Sequence, residues 1–371
     1  MKTYLSHLLS LGFNPRLMLL VLWLLLVYLT QYIPSWGAFY AQYIYPCIAS
    51  PLSRFSSLFP FSIGDAWVIG AICFVLLYPF YGRIHLHHSY LHLIGREVEF
   101  LAWVYVWFYA AWGLNYSQPS FYSRMQLKPV AYEKAVFMDF AHRYVEKLNA
   151  AYTLQTLTDK KVITQAIIGE YQKYAQELHI HAPFHTHLRP KTMLYSPLAS
   201  KVGVTGSMAP FFCEFTINKE VRPTRYPANH AHELSHLLGI TNEAEANFYA
   251  YEICTRSSHP FIRYSGYYSI LTHVLSNTRR LTDEETYRAL VMDIRPEIIT
   301  QLKDDQDFWR EKYSPIIGEI QDMLYDSYLR HHRISSGVKN YSEVIGLILS
   351  FEQAHPLVNS IAPEAENLPV K

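Results

Sequence analysis

Between Leu17 and Ser53 the chain has no Asp, Glu, Lys or Arg. A helix that lies on water needs a polar face, and the core Leu17–Leu29 has none, which excludes an ordinary surface helix there. The chain also lacks a charge excess, with 32 Lys+Arg against 31 Asp+Glu, so the electrostatic footprint of a nucleic-acid binder is missing. Cysteine is scarce, at four residues with no Cys-x-x-Cys pair, which excludes a zinc ribbon and a thioredoxin-type redox site. Cys213 and Cys254 read as separate buried thiols. No Ala-x-Ala-like site closely follows the first apolar run, and the run is too long for a signal-peptide core, so cleavage is not expected.

What is present divides the chain in two, because nearly all the charge lies after residue 117. The first run continues to Ile33, long enough to cross about 30 Å of hydrocarbon. Two further uncharged stretches follow, and we expect three transmembrane helices at 17–33, 66–81 and 100–116. The segment from Pro34 to Ser53 is too broken by Pro34, Gly37, Pro46 and Pro51 to span, and is expected to lie along the interface. Lys2 and Arg16 precede the first span, Arg54 lies between the first and second, and Arg83 and Arg96 lie between the second and third. Positive charge favours the cytoplasmic side, which puts everything after residue 117 outside the cytoplasm.

Residues 117–371 are expected to form one extramembrane domain. Ala131–Ala151 and Thr158–Leu178 have helical periodicity, as do patterns near Asp283–Lys303, Pro315–Arg330 and Tyr341–Phe351. Lys303–Asp307 reads as a solvated charged patch, since the spacing of a calcium loop is absent. From Phe211 to Asn218 the apolar residues alternate with polar ones, the period of a half-buried strand, with Pro210 at its start as on an edge. We read Phe211, Phe212, Cys213, Glu214 and Phe215 as an edge strand on which a peptide substrate could be laid by main-chain hydrogen bonds.

The chemistry concentrates at His232-Glu233-Leu234-Ser235-His236. Pro227 suits the first turn of a helix and Gly239 its left-handed end, so both histidines fall on one face of one short helix. With 18 His in 371 residues the pentad would arise by chance in about five such chains per hundred. Its surroundings add the missing support. After Gly239 a second helix restarts at Asn242-Glu243-Ala244-Glu245-Ala246-Asn247. Asn242 as its cap gives Glu245 a structural task, a capping box. Glu243 remains for the metal, with Asn247 one turn later on the same face to orient a ligand from outside the coordination sphere. We therefore assign one Zn2+ to His232, His236 and Glu243, with Glu245 as the alternative third ligand, and Glu233 as general base. Tyr264, Tyr267, Tyr268 and His259 follow shortly after, and the oxyanion-stabilising role is left open among them.

This combination resembles the gluzincin zinc metallopeptidases, in which His-Glu-x-x-His is completed by a Glu in a Glu-x-x-x-Asp pattern on the next helix. Here Asn247 stands for the Asp, and six residues separate His236 from Glu243, fewer than in thermolysin-like enzymes. The three apolar spans, Trp112–Tyr116, the Glu-x-Glu-Ala-Asn-Phe run and Asp326–Arg330 also resemble an uncharacterised bacterial family of membrane-anchored predicted metallopeptidases.

The resemblances imply a mainly α protein with a small β element, in which N-terminal transmembrane helices (1–116) precede a gluzincin-like α+β metallopeptidase domain (117–371). They imply an integral protein of the bacterial cell membrane that hydrolyses peptide bonds, with the lipid bilayer and a peptide or protein substrate as partners. Two other readings stay open: an inactive membrane scaffold or sensor with a structural metal, and a zinc hydrolase of a non-peptide amide of the cell envelope.

Overall fold

The uncharged N-terminal run forms helix α1 (Pro15–Tyr32), capped by Asn14, whose side chain accepts a hydrogen bond from the Arg16 amide. The computed structural model describes residues 14–130, 133–319, 323 and 343–356. Lys2, Ala131, the Asp326–Arg330 segment, Tyr341 and the tail from Ala362 lie outside them. Residues 34–53, expected to lie along the interface, are helical. They fold inward as a short helix (Pro34–Phe39), a π-helical turn (Tyr40–Ile44) and α2 (Tyr45–Ser56). The reason is apolar surface on the inner side: Tyr40, Tyr45 and Ala49 are 3, 0 and 0% exposed.

Helix α3 (Ile63–Ile84) is capped by Ser62, and α4 (Tyr90–Ala111) by Ser89. By length and composition α1 and α3 could cross a membrane. Many of their side chains are exposed, with Leu22, Leu76 and Leu77 at 62, 62 and 63% exposure, a large apolar surface of the kind that marks membrane or protein contact. Helix α4 packs against both. It begins earlier than the expected third span and carries Arg96, Glu97 and Glu99 in its first half. It also ends earlier: Trp112 leaves the helical region at φ −155°, and Gly113–Ser117 wind as a 3-10 turn.

The rest is mainly helical, as the patterning predicts, around a small three-stranded sheet. Helices α5 (Lys134–Ala151) and α6 (Lys160–Tyr174) fall on the expected amphipathic segments. The strands are β1 (Lys191–Thr192), β2 (Gly206–Ala209) and β3 (Glu214–Ile217), in the order β1-β3-β2, with β1 parallel and β2 antiparallel to β3. There follow α7 (Tyr226–Leu237), α8 (Glu243–Thr255), α9 (Pro260–Ser269), α10 (Leu271–Leu281), α11 (Glu284–Asp293), α12 (Pro296–Lys312) and α13 (Val344–Ala354). Pro296 divides the expected Asp283–Lys303 helix into α11 and α12, since proline starts a helix more readily than it continues one.

The sheet corrects the expected edge strand. β3 is the central strand, paired on both sides, and all four of its residues are buried. Phe211, Phe212 and Cys213 lie in the turn before it, where Cys213 takes φ +47°. The alternation reflected large apolar side chains packing on both sides of the turn and strand rather than a face open to solvent. The edges belong to β1 and β2. Two buried groups fasten the sheet to the start of α3 and the end of α2: Glu214 Oε1 accepts from Ser62 Oγ at 2.8 Å and Gly64 N at 2.6 Å, and its other oxygen pairs with Lys191. Lys191 Nζ also donates to Ser56 O at 2.5 Å, so neither buried charge is unpaired.

Helix α8 is buried on nearly every face, so it forms the axis on which α7, α9 and α13 pack. One apolar core joins Tyr45 and Trp112 to Leu234, Phe248 and Ile345, and therefore includes residues from both sides of position 117. The Lys303–Asp307 patch is not wholly solvated. Asp305 is 2% exposed and accepts from Arg225 Nε at 3.0 Å and Tyr268 OH at 2.8 Å, because the turn of α12 points this one acid inward.

Candidate metal centre

Helix α7 starts with Pro227 in its first turn and ends before Gly239, whose φ of +101° only glycine adopts without strain. Asn242 caps α8, its Oδ1 accepting from Glu245 N at 3.0 Å. The glycine turn lays the start of α8 across the middle of α7. As a result His232 Nε2 lies 3.1 Å from His236 Nε2, and Glu243 Oε2 lies 3.1 Å from the first and 3.4 Å from the second.

The far sides of both rings fix their tautomers. His236 Nδ1 is 2.7 Å from Ile240 O, and His232 Nδ1 is 2.9 Å from Asn247 Oδ1. A carbonyl oxygen only accepts, so both Nδ1 atoms carry the proton and donate. In the neutral rings each Nε2 then presents a lone pair, and three acceptors converge with no hydrogen between them. Such a triangle could hold a cation. The edge of a tetrahedron with metal–ligand bonds of about 2.0–2.1 Å is about 3.3–3.4 Å, close to the observed separations, and two imidazoles with one carboxylate are zinc-type donors. The residues present fit the ion.

The electrostatics agree with this. Burial disfavours charge on His236, yet the Glu243 carboxylate outweighs it and lifts the imidazole to about 9. Burial likewise opposes the Glu243 charge, and His236 and His232 overcome it, holding the carboxyl well below the usual range. Left to itself the triad would take a proton in place of a metal.

Glu233 is 5% exposed. Burial raises its pKa against the pull of His232 and His236, and its Oε2 has no hydrogen-bond partner. It faces a cavity of about 900 Å³ that His232, His236, Glu243 and Asn247 also line. β2 forms one wall, with the backbone of Gly206 directly against the Glu233 side chain. Tyr116 and Tyr195 line the cavity, as does Asn229, whose buried Nδ2 is unpartnered.

Glu245, the alternative third ligand, lies outside the triangle and pairs with the buried Arg124. Its structural task is thus an ion pair, whereas the cap is made by Asn242 Oδ1 accepting from the Glu245 amide. Tyr264 and Tyr268 are hydrogen-bonded to Gln301 and Asp305, and neither they nor Tyr267 and His259 line the cavity.

Sequence reasoning missed the supports of α7. Trp112 Nε1 donates to His236 O at 2.9 Å, Tyr45 OH to Leu237 O at 2.5 Å, and Gln118 Nε2 to Gly239 O at 2.7 Å. These side chains satisfy the carbonyls that the end of a helix leaves open. It also missed Asn229, which helical spacing could have found, since it stands three and four residues before His232 and Glu233.

A family model described as a protein of unknown function, DUF3810, matches residues 40–349. No curated protein and no solved structure matches the chain.

Proposed function

Since the chain belongs to the DUF3810 family, whose function is unknown, its site is the starting point for its chemistry, and we propose that it is a membrane-anchored zinc-dependent peptidase. The observation that carries the reading is the convergence of three acceptor atoms, His232 Nε2, His236 Nε2 and Glu243 Oε2, with both Nδ1 protons committed elsewhere. The gluzincin resemblance supports the same assignment, with Glu243 as the third ligand and Asn247 as the residue that orients His232.

Zinc held by these three residues would lower the pKa of bound water toward about 7 and polarise a scissile carbonyl. Glu233 is the base. Its unpartnered Oε2 faces the cavity, and a raised pKa suits a group that must accept a proton from the attacking water and return it to the leaving amine. Asn247 and the Ile240 carbonyl hold the two imidazoles in the tautomer that keeps Nε2 free. Asn229 Nδ2 is an unused donor in the cavity for a substrate carbonyl. A structural zinc site is closed by four protein ligands, whereas here three ligands border a cavity large enough for a peptide, which favours catalysis over a scaffold role.

β2 takes the substrate role first expected of residues 211–215. It pairs with β3 on one side only, so its other edge can receive an extended peptide. The apolar α1 and α3 anchor the protein in a bacterial membrane, with the site on the extracytoplasmic side as the positive charge near the other helix ends implies. The test is Glu233→Gln: zinc content should stay at one per chain while hydrolysis of a peptide library disappears. Retained hydrolysis would refute the role of Glu233. Intact zinc together with cleavage of only non-peptide amides would redirect the reading to the cell-envelope alternative.

A further inference from the structure

We propose that the substrate is a peptide segment still joined to a membrane-embedded helix, cut within a few residues of the bilayer. The inference rests on the reading of the site as a membrane-anchored zinc peptidase, and adds the source of the peptide.

β2 sets the geometry. Asn218 N donates to Thr205 O at 2.9 Å, which fixes the alternation of the ladder: residues 207 and 209 bond toward β3, and the backbone groups of Gly206 and Met208 face the open edge. The strand begins at Glu233, where Gly206 abuts the base, and ends at Ala209, which abuts Gly64 in the first turn of α3. The next residues carry the chain in among the apolar helices. Phe211 and Phe212 pack on Trp67 of α3 with ring centroids 6.2 and 6.5 Å apart, and Trp107 of α4 donates to Phe211 O at 3.1 Å.

These groups form a small aromatic belt at one level of the helices. Trp67 and Trp107 are 37 and 42% exposed, as amphipathic rings are at the boundary of a bilayer. Phe108, one residue on, packs on Phe211 with centroids 6.4 Å apart and also lines the cavity. The wall of the site is therefore continuous with the belt. From Gly206 to Ala209 an extended chain covers about 10 Å. A strand laid on β2 with its scissile bond at Glu233 thus reaches the membrane boundary after roughly three to five residues. A tethered segment arrives there already aligned, and its effective concentration replaces the entropy that a free peptide must lose. The reaction is ordinary hydrolysis: the C–N bond breaks, the water oxygen joins the carbonyl carbon, and Glu233 carries one water proton to the amine.

The full-length, zinc-loaded protein in liposomes is given one cleavable segment, either free or fused on either side to a transmembrane helix through spacers of about three, eight and fifteen residues, roughly 10, 26 and 50 Å extended. The short-spacer substrate should be cut at least about tenfold faster than the free peptide at equal bulk concentration, with the cut staying near the helix. Equal cleavage of the free peptide, or a cut site that ignores the spacer, overturns the inference and leaves the peptidase reading standing. Binding is read separately, by a photo-crosslinking residue in place of Met208 in the Glu233→Gln protein. Crosslinks to the tethered segment alone support the inference. Crosslinks to neither or to both equally overturn it. If no peptide is cut although zinc and crosslinks are present, the peptidase reading fails instead.

Discussion

Gly206 touches the proposed general base so closely that one methyl group should silence it. A Cβ at this position would lie 2.6 Å from both Cγ and Cδ of Glu233. Carbon atoms rest at about 3.5 Å or more, so in Gly206→Ala one partner must retreat by about 1 Å. β2 is held by its ladder to β3, and the Glu233 Cγ is near the α7 backbone, so the movement falls mainly on the carboxyl group. A misplacement of about 1 Å in a catalytic group costs on the order of 10²-fold in rate. The expected result is a roughly hundredfold lower kcat, with zinc still at one ion per chain because the nearest atoms all belong to Glu233. Overpacking should also lower stability by about 1–3 kcal/mol, read by urea unfolding in detergent. Peptidase assays and metal analysis on the same preparation check both halves. Full activity would show that the position of Glu233 does not matter to turnover, and loss of zinc would show that position 206 supports the ligands rather than the base.

Asn247→Ala should lower zinc affinity by about 10–100-fold, measured by competition with a chelating dye, because His232 Nδ1 loses the acceptor that fixes its tautomer. Unchanged affinity would mean that the ring is held without it. Arg124→Ala strands the buried Glu245 carboxylate and should cost about 3–5 kcal/mol, while Glu245→Gln keeps zinc binding intact; zinc loss in Glu245→Gln would reopen the choice of third ligand. Burial and Arg225 push His273 down from 6.5 to about 4. The unfolded chain therefore binds the proton first, so His273 should reduce stability as pH falls from about 6.5 to 4, and not above that window. His273→Leu should flatten that part of a urea-unfolding profile against pH, and an unaltered slope would refute the assignment.

The parts of the site legible in the sequence are those that short segments encode. Pro227, the two histidines and Gly239 lie within thirteen residues, and Asn242, Glu243 and Asn247 within six, so cap, turn and face follow from helical spacing. What escaped was long-range. Trp112 reaches His236 across 124 positions and Tyr45 reaches Leu237 across 192, and no periodicity announces such a partner. The strand was misjudged for a related reason. Phe211 and Phe212 alternate like an edge strand, but their partners are Trp67 and Phe108, and only the fold distinguishes an aromatic turn set among helices from a face open to water. The Glu245 capping box was sound local reasoning, displaced by the stronger partner Arg124 from 121 residues away.

The three side chains that close the end of α7 come from Tyr45, Trp112 and Gln118, all at or before the point where the charged part of the chain begins. On the proposed reading, the N-terminal helices are therefore not a leash from which a working enzyme could be shed. A cut after Gln118 would free a fragment whose metal helix had lost all three of these terminal partners, in a chain whose core had lost Tyr45 and Trp112. If the proposed peptidase function holds, shedding would serve as an off switch, and the range of the proposed activity would be confined to the membrane.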